Sequence, residues 1–198
     1  MRKGIEVLPY DPRWPLEFEA EKDRIAGMLG SLALRIDHHG STAVPGLPAK
    51  PIIDIQVSVG RLQPMQGYLE PLTQLGYEHV SHVDDAVCPF FHRPHDWPHT
   101  HHVHVVEFGG AEERRTLAFR DYLIYHPEVA REYAALKHRL ARQYDAGDPE
   151  ERERYAIAKS DFIERVLKIA LGQGYPRHQC SASELIEHCA CGTFENAR

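Results

Sequence analysis

Hydrophobic positions in this chain switch between two spacings. Over residues 52–59 they alternate. Ile53, Ile55, Val57 and Val59 share one side, and Ile52, Asp54, Gln56 and Ser58 share the other, the pattern of a strand with one packed face. Residues 34–38 read as a shorter strand and 77–80 as another. Residues 100–108, alternating around His101-His102-Val103-His104-Val105-Val106, read as a further strand ended by Gly109-Gly110. Elsewhere the period is helical. Trp14, Phe18, Ile25 and Leu29 lie on one face of a helix opened by Asp11-Pro12, with Asp11 as its cap and Pro12 at its first position. A second helix is predicted over 64–75, stopped by Gly76. Further helices are predicted over 117–125 and from Pro127 through Tyr144, where Val129, Tyr133, Leu136 and Leu140 keep helical spacing. Asp148-Pro149-Glu150-Glu151 combines a cap, a first-position Pro and a capping-box Glu, and opens a last helix with a buried stripe of Tyr155, Phe162, Val166 and Ile169.

The segments between are punctuated by proline. Residues 42–51 carry Pro45-Gly46, Pro48, Lys50 and Pro51 and read as a loop, with Pro51 favouring extended geometry. Residues 84–98, rich in Pro, His and aromatics, are expected to be irregular. After Gly172 the pattern fades, so the expected organisation is one domain over 1–172 and a weakly ordered tail over 173–198. This order of elements predicts an α/β (α+β) fold: a small mixed sheet flanked by helices and followed by a C-terminal helical segment.

Composition narrows the function classes. The chain has 198 residues, 42% hydrophobic and 26% charged, ordinary for a globular domain. No run of about 18 apolar residues is present and the first residues lack a signal-peptide core, so a cytoplasmic protein without a membrane partner is expected. The net charge of −6 argues against a nucleic-acid partner, which needs a basic surplus. Nothing in the sequence sets an oligomeric state. There are 14 His, many of them between His79 and His104, and imidazole is a common metal ligand and proton carrier.

The candidate chemistry begins at His39-Gly40-Ser41. A Gly-Ser turn shortly before a strand bearing an acid is how a nucleotidyltransferase-type site is built: turn N–H groups hold phosphate and the acid holds a metal. Asp54 is that acid, and a charge among Ile and Val is costly unless it is paired or metal-bound. Lys50 and Arg35 are its candidate ion-pair partners. Gln56, on the same face two residues on, stands where a second carboxylate is expected. His102 and His104, also two apart, share a strand face and suit a metal shell, phosphate binding or acid–base work. Lys50 and Arg120 are candidate phosphate partners, and Tyr155 and Lys159, one helical turn apart, are candidates for the cleft. Cys180, His188, Cys189 and Cys191 invite a zinc reading but lack a paired Cys-x-x-Cys knuckle.

Three segments carry a resemblance: Tyr10-Asp11-Pro12-Arg13-Trp14, Gly40 through Leu47, and Ala49-Lys50-Pro51-Ile52-Ile53-Asp54 closely resemble the GrpB family. His102-Val103-His104-Val105, Phe119-Arg120-Asp121-Tyr122-Leu123 and residues 155–162 match it too, so the resemblance covers about 5–170. It implies a nucleotidyltransferase-like fold, in a family that also occurs fused to dephospho-CoA kinase. By that resemblance Gly40 and Ser41 form the phosphate-holding turn, and Asp54 is the first metal-binding carboxylate. Asp37 and His38 match the acid and the imidazole before the turn, and His102 and His104 match the family's His pair.

The expected function is transfer of a nucleoside monophosphate from a nucleotide to a small acceptor with Mg²⁺ or Mn²⁺. Asp54, His102 and His104 are the candidate catalytic and metal residues, and Gly40, Ser41, Thr42, Lys50 and Arg120 the candidate phosphate residues. Two alternatives stand beside it: a nucleotide- or phosphometabolite-binding module without transfer, and a His/Asp metal phosphoesterase, for which Zn²⁺ is the natural ion.

Overall fold

The computed structural model describes residues 4–81 and 83–177. Helix α1 (Trp14–Leu29) leads into strand β1 (Ala33–His39), and the Gly40 turn and the 42–51 loop lead into β2 (Ile53–Val59). Then come α2 (Gln66–Gln74), β3 (Glu78–Val80), β4 (Phe90–Arg93) and β5 (His101–Glu107). Four helices follow: α3 (Ala111–Tyr125), α4 (Pro127–Ala141), α5 (Pro149–Ile157) and α6 (Ser160–Gly172). The strands form one mixed sheet in the order β1-β2-β5-β4-β3, with β2 and β5 parallel and the other pairs antiparallel.

Register decides what the sheet presents. His39, Asp54, His102 and His92 lie side by side on four neighbouring strands, and Asp37, Gln56, His104 and Phe90 form the next row. The alternate residues point to the opposite face. There Ile53, Ile55, Val57, Val59, Phe91, Val103 and Val105 pack against Phe18, Ile25 and Leu29 of α1 and Tyr68 and Leu72 of α2. Each such side chain contributes about 1.5–3 kcal/mol by leaving water, so this face holds the fold together. The polar face lies under the later helices, whose own apolar residues gather in separate clusters around Tyr122 and Val166, Leu140 and Tyr155, and Leu123 and Tyr133. No helix among the described residues is long and apolar enough to cross a membrane.

Several elements depart from the sequence expectation. Residues 84–98 are not wholly irregular, because Phe90–Arg93 forms β4. Four residues are too few to show an alternation, and their strand geometry comes from pairing with β3 on one side and β5 on the other. Helix α3 starts at Ala111, six residues before Leu117, with Glu112 and Glu113 in its first turn, where carboxylates suit the helix dipole. The helix capped by Asp148 is two helices. Asp148 accepts from the N–H groups of Glu150 and Glu151 as a cap should, but α5 ends at Ile157 and α6 begins at Ser160. The expected stripe is split for that reason. Tyr155 packs with Ile5 and Leu140 whereas Val166 packs with Ala118 and Tyr122, and one straight helix does not serve both clusters. Ile169 is an exposed residue, not a buried one. Tyr175 is buried on Tyr122, so the packed chain runs past Gly172. Cys180, His188, Cys189 and Cys191 lie outside the described residues.

Candidate functional site

Gly40 ends β1 with φ +71°, a backbone conformation that side chains disfavour. A Cβ there would also collide with the Asp54 carboxylate. Both facts require glycine, and together they bring the turn directly against Asp54. Ser41, next in the chain, lies beside the Tyr133 phenol of α4. Asp54 keeps 26% of its side-chain exposure, so it is half-buried but reachable. Burial works to raise its pKa, but the His102 hydrogen bond and the surrounding imidazoles outweigh that and hold the carboxyl below the usual range.

A hydrogen-bonded chain leads away from Asp54. His102 Nδ1 lies 3.3 Å from Asp54 Oδ1, and His102 Nε2 lies 3.1 Å from His99 Nδ1. His99 in turn stacks on His92, with ring centroids 3.9 Å apart. On the other side, His39 meets His104 edge to face at 4.9 Å, and His104 Nδ1 lies 3.6 Å from Cys88 Sγ. Burial pushes His39 down to about 3 and His104 to about 4, helped by neighbouring imidazoles and opposed by the Asp54 charge, so both are neutral at pH 7. The buried Nε2 of His39 has no hydrogen-bond partner.

Three lysines converge on this carboxylate from separate elements. Lys50 comes from the loop before β2, Lys137 from α4, and Lys159 from the break between α5 and α6. Each feels the charge of Asp54, and Lys137 and Lys159 each feel another lysine. Lys137 is only 3% exposed and donates to the Pro48 carbonyl; Lys50 and Lys159 are half-buried. Lys50 and Lys159 both lie over the Tyr155 ring, at 5.2 and 4.4 Å, and Lys137 lies over Tyr133 at 4.8 Å. Among the described residues none of the three makes a salt bridge. Desolvation, with lysine–lysine repulsion added, pushes Lys137 and Lys159 down to about 7 and lowers Lys50 as well. Buried cations without counter-ions are expensive, and an anion entering beside them would restore their charge.

Other sequence candidates are placed elsewhere. His38 points to the α1 side, stacked on Phe18 at 4.7 Å. The Thr42 hydroxyl donates to the Ile52 carbonyl and meets His38 Nε2 at 3.0 Å, so it stitches the loop together. Arg120 is buried and committed to the His38 carbonyl at 2.9 Å and to Asp121, and Asp37 is committed to Arg35. Arg35 also pairs with Glu113, so neither it nor Arg120 meets Asp54. Gln56 is fully buried, and its amide oxygen accepts from Thr116 of α3 while its nitrogen has no partner. Helix α3 thus covers the place of the expected second carboxylate. Among the described residues no three His, Cys, Asp or Glu side chains are spaced to hold a metal ion, so Asp54, His102 and His104 do not close into a three-ligand centre.

Lys137 and His99 escaped the sequence reading, while His39 entered it only as part of the turn segment and Tyr133 only as a helical-stripe residue. A signal for Lys137 was available: with Tyr133 and Leu140 it makes an i, i+4, i+7 series, a lysine inside an apolar helical stripe. His99 lies before β5 and carries no local pattern.

Comparison with known proteins agrees with this architecture. The model of the GrpB protein family matches residues 4–169. UPF0157 protein PA4798 of Pseudomonas aeruginosa is 43% identical over 92% of this chain and 73% of its own length. A dephospho-CoA kinase of Mycolicibacterium paratuberculosis is 32% identical over 74% of this chain, a match that takes up 42% of the kinase sequence. The crystal structure of conserved protein GrpB from Enterococcus faecalis superposes with a TM-score of 0.74 at 33% identity, covering 85% of this chain and 98% of that one. A fold shared over nearly the whole described chain, with a family match over the same residues, leads to one conclusion: the chain belongs to the GrpB family.

Proposed function

We propose that the cleft binds the phosphate end of a nucleoside triphosphate, and that the protein is a nucleotidyltransferase-like enzyme moving a nucleoside monophosphate to a small acceptor. One observation carries the reading: Lys50, Lys137 and Lys159 converge on Asp54 beside the Gly40-Ser41 turn without salt-bridge partners among the described residues. Lysine binds phosphate as a point charge, and three at once match a polyphosphate better than a single carboxylate ligand. Asp54 suits one Mg²⁺ or Mn²⁺, since such ions are held by one or two carboxylates together with substrate phosphates. The ion would supply neutralisation of charge on the departing pyrophosphate. His102 keeps Asp54 oriented through Nδ1 and can pass a proton through Nε2 to His99. Zn²⁺ phosphoesterase chemistry fits less well, because it needs about three protein ligands and the described residues do not assemble them.

The sealed Gln56 favours a second reading, a nucleotide-binding module without transfer, because two-ion catalysis lacks its second acid. One experiment separates the two. Titrating the protein with nucleoside triphosphates and Mg²⁺ should raise its melting temperature, and Lys137→Met should remove that rise. Pyrophosphate release in the presence of a metabolite extract, abolished by Asp54→Asn with nucleotide binding retained, supports transfer. Binding without release supports the module. No binding of any triphosphate overturns both.

A further inference from the structure

A cavity of about 300 Å³ adjoins the lysine cluster and shares Lys50 with it. We propose that this cavity is a nucleobase subsite, selective for bases bearing an exocyclic amino group over uracil; the proposal rests on the reading of the lysines as a triphosphate site. A nucleobase is flat, with apolar faces and a polar edge, and the cavity offers both kinds of surface. Ile52, Pro98 and the Trp97 indole supply apolar wall, and Glu6 supplies a carboxylate that accepts from an exocyclic amino group, whereas uracil carries the O4 carbonyl in place of cytosine's amino group and keeps only N3–H as a donor on that edge.

Trp97 is held in advance. The Arg152 guanidinium lies 4.4 Å from its ring centroid, Lys50 Nζ lies 5.7 Å away, and His99 meets it edge-on at 5.2 Å. Arg152 is itself anchored on the Ala146 carbonyl at 2.8 Å. An aromatic side chain fixed before binding loses little entropy when a base stacks on it. The cavity is also linked to the reacting end of the site. His99 lines it and connects through His102 to Asp54, so a base here sets the following phosphates along Lys50 toward that carboxylate. Two other cavities, one between the 45–48 loop and α4 and one beside residues 8–14, border none of the three lysines.

The test compares inorganic tripolyphosphate with ATP, GTP, CTP and UTP on the full chain by calorimetry and tryptophan fluorescence. The chain has two tryptophans and Trp14 is buried at 3%, so quenching reports Trp97. Tripolyphosphate is expected to bind without quenching, and ATP to bind more tightly with quenching. Trp97→Leu should weaken ATP about tenfold and leave tripolyphosphate unchanged. ATP, GTP and CTP should each exceed UTP by about tenfold, and Glu6→Gln should erase that margin. Equal affinity for ATP and tripolyphosphate, with no quenching and no effect of Trp97→Leu, overturns the subsite and leaves the lysine site standing. Failure of tripolyphosphate to bind overturns the lysine reading instead. Should Trp97→Leu not fold, Glu6→Gln at an exposed position and the quenching decide the matter.

Discussion

On one face of the sheet, Ile55, Val57, Val103 and Val105 meet Phe18, Ile25 and Leu72 in one apolar cluster. On the other face the intervening residues, Asp54, Gln56, His102 and His104, meet imidazoles, lysines and the underside of α3. Buried polar atoms without partners gather on that second side: His39 Nε2, Gln56 Nε2 and Ser58 Oγ. The strands are the same; only the parity differs. Because side chains alternate, β2 and β5 commit half their residues to stability and leave the rest to tolerate lone charges and unsatisfied donors. The packed face supplies the stability that lets the polar face be poorly satisfied, as functional sites tend to be.

That contrast can be broken in order of expected effect. Phe91→Ala on the packed face should cost about 4 kcal/mol by urea unfolding. It should leave tripolyphosphate affinity of the folded protein within about twofold, since the Phe91 side chain packs on the face opposite Asp54 and the lysines. A larger loss of binding would mean that the faces are coupled. Gly40→Ala, on the polar side, should cost about 2 kcal/mol from strained backbone and the collision with Asp54, and should abolish triphosphate binding. Lys137→Met should change sign: removing an uncompensated buried cation should stabilise the protein by about 1 kcal/mol while weakening tripolyphosphate severely. If it destabilises like a core truncation, Lys137 is a structural residue and the contrast fails.

The most gradual effect is the pH dependence. Lys137 and Lys159 titrate at about 7 when folded but near 10.5 when unfolded. Between those values the unfolded chain binds more protons, so stability should climb as pH rises from about 7 toward 10.5. Below 7 both states carry the charge and the penalty is fully present. Saturating tripolyphosphate should flatten the climb by lifting the folded pKa values, which melting curves across that range will show. On the acid side, His38 and His39 at about 3 and His104 at about 4 are depressed from 6.5, so stability should fall as pH drops below 6.5.

Much of this was written locally. The 52–59 alternation placed Asp54 and Gln56 on one face, and the Asp148 cap and Gly76 stop marked helix ends, because such signals involve residues within a few positions of one another. Strand β4, the break at Lys159 and the burial of Lys137 were decided elsewhere. Each depends on a partner distant in sequence: β5 beside β4, two clusters pulling α5 and α6 apart, and a proline carbonyl waiting for an ammonium 89 residues away. The row His39–Asp54–His102–His92 likewise exists only because β2 and β5 pair in one parallel register. The sequence by itself determined which residues of β2 and β5 share a face and the capped or glycine-stopped ends at Asp148 and Gly76. Tertiary packing alone decided which faces meet, and therefore that one carboxylate lies among three lysines without salt-bridge partners among the described residues.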